Sequence, residues 1–290
     1  MNNPFAEKIS DEDELTLIEE SVQGNRSSLE KLILRHQAWI YNIVFKMVMD
    51  HDDASDVTQE ILVKMITGLS SYDSRKAMFR TWLYRIAVNH ILNMKKKKFE
   101  IRINDFDKYV PLIEKLPDNR SFSHPDSEIL AEELKTGCMM GMVMCLNRRE
   151  RLVFILGAVF GVTDVVGSEL MEVSRDNFRK ILSRSREKVY SHMNGACGHV
   201  NPENKCRCSY KTKAFFDMGM LDPVNTRYYK PDNMKVRDAV NLKFEEFDRN
   251  YYGPFLDHFR DQPFYNSPDM VLWLRNMLGC EEFQSLFDVH

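Results

Sequence analysis

Apolar residues return every three or four positions along most of this chain, and no run of alternating β-branched residues interrupts them. That spacing gives each segment one apolar stripe along a helix and leaves no place for strands as the main element. Pro4, Gly24 and Gly68 are the only proline and glycines in the first hundred residues, so helices there meet few breakers. The sequence therefore predicts an all-α fold. At 290 residues and 43% hydrophobic content, it can fill two or three packed cores.

Punctuation divides the chain. A helical block over 14–98 is followed by a less periodic segment, 99–124, which carries Pro111, Pro117 and a polar run and reads as a flexible linker. A second helical block spans 125–193. A turn-rich Cys/His loop follows over 194–210, then a helical, aromatic-rich C-terminal extension over 211–290. No apolar run approaches the length of a membrane span. The opening MNNPFAEKISDEDEL has no signal-peptide core, so a cytosolic protein is expected. The net charge is −3, so a nucleic-acid-binding surface has to come from local clusters, such as the lysines at 95–98 and the basic residues along 175–188.

The segment FRTWLYRIAVNHILNMKKKK (79–98) carries two stripes. Leu83, Ile86, Ala87, Ile91 and Met94 face a core. Trp82, Arg85, Asn89, Asn93 and Lys96 form a second stripe of stacking, guanidinium and amide groups suited to bases and phosphates. On spacing alone, an amphipathic helix with a solvated basic end explains the segment as well. Upstream, Asp56, Gln59 and Glu60 share an outer helix face at i, i+3 and i+4. They suit a basic partner helix, or equally the acidic first turn that any helix dipole favours.

In the second block, Asn147 with Glu150 opens a helix, Thr163 can cap a short helix over 164–172, and Ser174 can cap a basic helix after a tight turn. A short helix, a turn and a basic helix form a helix-turn-helix pattern. Phe178, Ile181, Leu182 and Val189 face its core. Arg175, Asp176, Asn177, Arg179 and Lys180 lie where such a helix reads base edges, and Arg184, Arg186 and Lys188 suit phosphates.

The run DVTQEILVKMITGLSSYDSRKAMFRTWLYRIAVNHILNMKKKK resembles the second conserved region of bacterial sigma factors, closest to the extracytoplasmic-function (ECF) group, through D-V-x-Q-E followed by F-x-T-W-L-Y-R-I-A-x-N. The helix-turn-helix resembles the family's fourth region across Gly161–Thr163 and Ser174–Arg186. It departs from that pattern at Glu172, where the turn glycine is usual, and at Gly167, usually apolar. The resemblance implies two helical DNA-binding domains joined by a flexible linker, and no enzymatic activity. It implies that Asp56, Gln59 and Glu60 dock on the β′ clamp helices of core RNA polymerase, which also presents its β subunit. Asp73, Ser74 and Phe79 would help form a pocket for a flipped minus-ten base. Arg80, Trp82, Arg85 and Asn89 would line the melted strand, with Lys95 and Lys96 on phosphates, and the helix-turn-helix would read the minus-thirty-five element. Promoter DNA and an anti-sigma factor are the further implied partners, and no membrane. The rivals are a stand-alone helix-turn-helix regulator and a metal- or redox-responsive sensor.

Cys197, His199, Cys206 and Cys208 sit together in CGHVNPENKCRC. Three thiolates and an imidazole suit structural, tetrahedral zinc, although one residue between the paired cysteines is fewer than the usual two; a redox-active thiol cluster is the alternative. Cys138, Cys145 and Cys280 fall in apolar contexts and read as core. The extension is either a packing domain or a regulatory module that masks a binding face.

Overall fold

A computed structural model describes residues 4–5, 12–240 and 253–278. Every regular element among them is a helix, apart from isolated bridges at Cys197–Cys206 and Lys235–Pro263. The helices are α1 (Glu12–Val22), α2 (Arg26–Val48), α3 (His51–Gly68), α4 (Phe79–Asn93), α5 (Lys98–Arg102), α6 (Phe106–Glu114), α7 (Ser127–Met144), α8 (Arg148–Phe154), α9 (Asp164–Met171), α10 (Arg175–Ala196), α11 (Cys208–Asp217), α12 (Val236–Val240), α13 (Gly253–Arg260) and α14 (Met270–Leu278).

Local chemistry sets these boundaries. Asn25 caps α2 by accepting from the Ser28 amide, and Asp50 caps α3 by accepting from Asp52 and Asp53. Between these two helices the chain turns at Met49, which takes a left-handed φ of 60°. Asn147, Thr163 and Ser174 cap α8, α9 and α10 as their spacing predicts. One π-helical turn, Ile155–Val159, continues α8. A Cβ on its Gly157 would stand 2.8 Å from Leu182 Cδ2, so glycine there admits α10 closely.

The helix expected over 79–98 ends instead at Asn93, with Met94 extended at ψ 159°. Arg148 explains the stop. Its Nη1 donates to the Leu92 and Met94 carbonyls, which continued α4 turns would otherwise have used. The lysine run is a short irregular link, and Lys97 pairs with Asp53 at 3.1 Å.

The linker expected to be flexible is an ordered strap. It forms α5 and α6, buries Phe106 and Ile113, and ties its far end to α11 through Lys211, which donates to the Glu114 carbonyl and pairs with Asp118 at 3.0 Å. Its near end is anchored by Glu100, 3% exposed, which pairs with Arg148 at 2.7 Å and Arg151 at 3.1 Å. Arg151 is equally buried and also donates to the carbonyls of Met47, Met144 and Leu146. Buried guanidinium and carboxylate satisfy each other here, which makes their desolvation tolerable.

The two expected domains share one continuous core. The Trp39 ring is fully buried and packs edge-on against Phe5, Phe160 and Phe264, at centroid distances of 5.8, 5.9 and 5.0 Å. One indole thus joins the N-terminal segment, the second block and the C-terminal extension.

Candidate functional site

Helix α3 presents the predicted acidic face. Asp56 and Glu60 are exposed, and half-buried Gln59 donates weakly to Ser55 Oγ at 3.4 Å. Glu60 lies 2.9 Å from His90 Nε2 on α4, and Lys64 approaches His90 Nδ1 at 2.7 Å. Burial, followed by the Lys64 ammonium, holds the His90 imidazole below its usual range. Glu60 thus faces the imidazole, while the Asp56 carboxylate stays exposed to a basic partner.

The second predicted surface is only partly assembled. Tyr72, Phe79 and Trp82 form an aromatic cluster with centroids 5.4–5.6 Å apart, and Trp82 rests on Gly68, where a Cβ would come within 3.3 Å of the indole. Trp82 is half-buried and Asn89 exposed, as the outer stripe requires. Asp73 organises the preceding loop by accepting from the amide and guanidinium of Arg75, while Ser74, Lys95 and Lys96 are exposed.

Phe79 and Arg80 depart from expectation. Phe79 is 2% exposed, with its ring against His36 and Tyr72, and Arg80 is 8% exposed and donates to the Pro4 carbonyl. Both stand in the first turn of α4, where the N-terminal segment closes over the helix. The inserted Phe5 ring lies 4.9 Å from Tyr84. Arg85 is on the outer stripe, yet it reaches Glu172 of the helix-turn-helix at 2.8 Å, because α4 packs against α9.

The helix-turn-helix matches its pattern in detail. Thr163 Oγ1 accepts from the Val166 amide and Ser174 Oγ from the Asn177 amide. Glu172 takes φ 52° and ψ 48°, the left-handed turn conformation that glycine would adopt more easily. Gly167 has a packing reason, since a Cβ there would come within 2.3 Å of the Phe178 ring. Arg175, Asp176, Asn177, Arg179, Lys180 and Arg184 are exposed on α10, and Arg186 is half-buried. Arg179 pairs with both Asp164 and Asp176, which fixes it across the turn.

Placed beside one another, α3, the aromatic cluster of α4 and a capped basic helix are the parts of one recognisable assembly. Residues 32–99 match the sigma-70 region 2 family. Over this region and into the second block the chain is similar to ECF sigma factors. It is 33% identical over 85 residues to the RNA polymerase sigma-H factor of Pseudomonas aeruginosa, a match covering 29% of this chain and 44% of that protein. It is 25% identical over 191 residues to the ECF RNA polymerase sigma-E factor of Haemophilus influenzae, covering 64% of this chain and 96% of that protein. The solved structure of CnrH in complex with the cytosolic domain of CnrY overlays 62% of this chain and 96% of its own at 18% identity and a TM-score of 0.44, too loose to transfer residue roles. The ECF match to the sigma-E factor leaves about a third of this chain outside it.

The Cys/His loop does not gather its four predicted ligands. Cys197 and Cys206 pair as a backbone bridge, and Gly198 donates to the Cys206 carbonyl. His199 turns away toward His258, with ring centroids 6.2 Å apart. Cys138 of α7 takes its place near the thiols; burial pushes its pKa up to about 12, with Cys197 and Cys206 adding to the rise. Burial raises Cys206 and Cys208 as well. Among the described residues no three His, Cys, Asp or Glu side chains are arranged to hold a metal ion. The four residues of the predicted zinc set are thus not drawn into one centre in this arrangement. Cys280 lies outside the described residues.

Sequence reading missed Glu100, Arg148, Arg151 and Asn42, which hold the blocks together. One signal was present: RRER opens a helix with cations, where the dipole favours acids, so those cations needed a separate reason to be there.

Proposed function

We propose that this chain is a sigma factor that binds core RNA polymerase through Asp56, Gln59 and Glu60, opens the minus-ten element with α4, and reads the minus-thirty-five element with α10. The observation that carries the reading is the region 2 match over 32–99 falling on an exposed acidic face of α3 followed directly by the Tyr72–Phe79–Trp82 cluster. A base drawn out of the duplex loses stacking worth a few kcal/mol, and the half-buried rings of Tyr72 and Trp82 would return it at about 1–3 kcal/mol per stack. The protein contributes binding and strand capture, while bond formation belongs to the polymerase. Action on polymerase and promoter implies a cytoplasmic location, and no helix among the described residues is long and apolar enough to cross a membrane.

The arrangement described is a closed one. With Arg85 paired to Glu172 and Arg80 covered at Pro4, α4 must part from α9 and the N-terminal segment must lift before α4 lines a DNA strand. The C-terminal extension supports this state by bridging both blocks, so it acts as a built-in restraint on promoter binding. Run-off transcription with core polymerase on duplex and pre-melted promoters tests the main reading. The chain is expected to direct initiation on both templates, and failure to bind core or to direct initiation on either overturns it. Trp82→Ala is expected to impair the duplex template more than the pre-melted one and to leave core binding intact; equal loss of all three would make Trp82 a packing residue only.

A further inference from the structure

A cavity of about 330 Å³ lies where the strap helix α6, the first helix of the second block and the C-terminal extension meet. Tyr109 and Ile113 of α6 wall one side, Leu134 and Gly137 of α7 another, and Phe215 and Leu221 close the third. The volume falls within the range of small-molecule sites, which are mostly apolar with a few placed polar groups. Interiors otherwise pack to crystal density, and an unfilled apolar space of this size is destabilising.

The walls are shaped for the space. A Cβ on Gly137 would come within 2.8 Å of the Tyr228 ring, and one on Gly141 within 2.2 Å of the Tyr109 hydroxyl. Glycine inside a helix is unfavourable, so two of them in α7 under the two lining tyrosines need a packing reason. The carboxylate that borders the space, Glu133, is fully engaged: it accepts from the backbone amides of Arg227, Tyr228 and Tyr229. The interior therefore offers no free charge and suits a hydrocarbon.

The mouth is different. Leu112, Met218 and Met220 border it and are 61%, 50% and 56% exposed, unusual for large apolar side chains, and methionines adapt to ligands of variable shape. Arg102 and Lys108 stand at the same mouth against one carboxylate, Asp105, which lies 3.7 Å from Lys108. Arg102 has no carboxylate partner among the described residues, and a guanidinium binds a carboxylate through two parallel hydrogen bonds.

We propose that this cavity binds a medium-chain carboxylate, with its alkyl chain between α6, α7 and α11 and its head group on Arg102. The site is separate from α3, α4 and the helix-turn-helix, and it does not depend on the transcription reading. Titration calorimetry of the full chain with dodecanoate, held below micelle-forming concentrations, tests it. Saturable one-to-one binding is expected, with dodecylammonium at least tenfold weaker. Arg102→Gln and Leu112→Glu change exposed residues, so both variants are expected to fold, as circular dichroism would check. Each should weaken dodecanoate at least tenfold, the first by removing the head-group partner and the second by placing a carboxylate at the mouth. Absence of saturable binding, equal affinity for dodecylammonium, or unchanged affinity in both variants would each overturn the proposal, the last two by marking the binding as detergent adsorption.

Discussion

Two of the contacts that hold the blocks of this molecule together are made of different material. The seam between α4 and α9 includes the Arg85–Glu172 ion pair, whose side chains are 40% and 51% exposed. The contact of the C-terminal extension is buried. Asn42, fully enclosed, exchanges two hydrogen bonds with the Tyr265 backbone, each at 2.8 Å; Phe264 stacks edge-on against Trp39, and Arg260 donates to the Ala158 carbonyl. An exposed ion pair contributes about 0–1 kcal/mol and weakens with salt. Filled apolar space and satisfied buried polar groups contribute several times more. The ion pair at the α4–α9 seam is thus the weaker of these interactions, and the buried contact of the extension is the stronger.

The largest expected effect comes from breaking the stronger contact. Phe264→Ala removes a buried ring against Trp39 and is expected to cost about 3–5 kcal/mol. Amide exchange at Tyr265 should accelerate, and the segment after Tyr229 should become open to proteolysis. Protection like that of the unaltered chain would mean the extension does not restrain the blocks. Gly167→Ala comes next. Its Cβ meets the Phe178 ring, so overpacking of about 1–3 kcal/mol is expected, relieved in part by Phe178→Leu. Thermal midpoints of the single and double variants measure it.

The buried lysine gives the contact of the extension a pH dependence. Lys46 donates to Gln262 Oε1 at 2.9 Å, and burial lowers its pKa from 10.5 to about 7. Below pH 7 the ammonium is charged in both native and unfolded chains. Between 7 and 10.5 the native chain has released that proton while the unfolded chain keeps it, so stability rises with pH by at most ~1.4 kcal/mol per unit. Urea titrations at pH 7 and 9 should show the rise, and Lys46→Met should flatten it. The smallest effect belongs to the seam. Glu172→Gln removes only the ion pair, and a change under about 1 kcal/mol is expected. Glu172→Gly also relieves the left-handed backbone, worth roughly 1 kcal/mol in the opposite direction. Both variants should bind duplex promoter more tightly than the unaltered chain if the seam masks α4, and Glu172→Gly should melt at the higher temperature.

What could be read from the sequence was local. The caps at Asn147, Thr163 and Ser174 and the faces of α3 and α10 follow from spacing over one or two turns. The end of α4 at Asn93 depends on Arg148, which is far along the chain, so no window around the lysines contains its cause. The strap looked like coil because α5 and α6 are short and Pro111 sits inside the second, whereas burial of Glu100 and Phe106 supplies what propensity does not. Phe79 and Arg80 carry the family pattern, but the covering by Pro4 and Phe5 cannot be read from a helical wheel. The Cys/His spacing suggested a shared centre, while the fold sends His199 toward His258 and brings in Cys138 from a helix that had read as plain core.

Asn42 and Tyr265 are 223 residues apart, and that distance sets a schedule. A ribosome adding about 5–20 residues per second takes on the order of 10–45 s to travel between them. During that interval α2, α3 and α4 have left the exit tunnel and can meet the second block through Arg148 and Phe160, while the segment that encloses Asn42 is still unmade. Each new copy can therefore join its first two blocks before the last segment arrives to seal the Asn42 side chain.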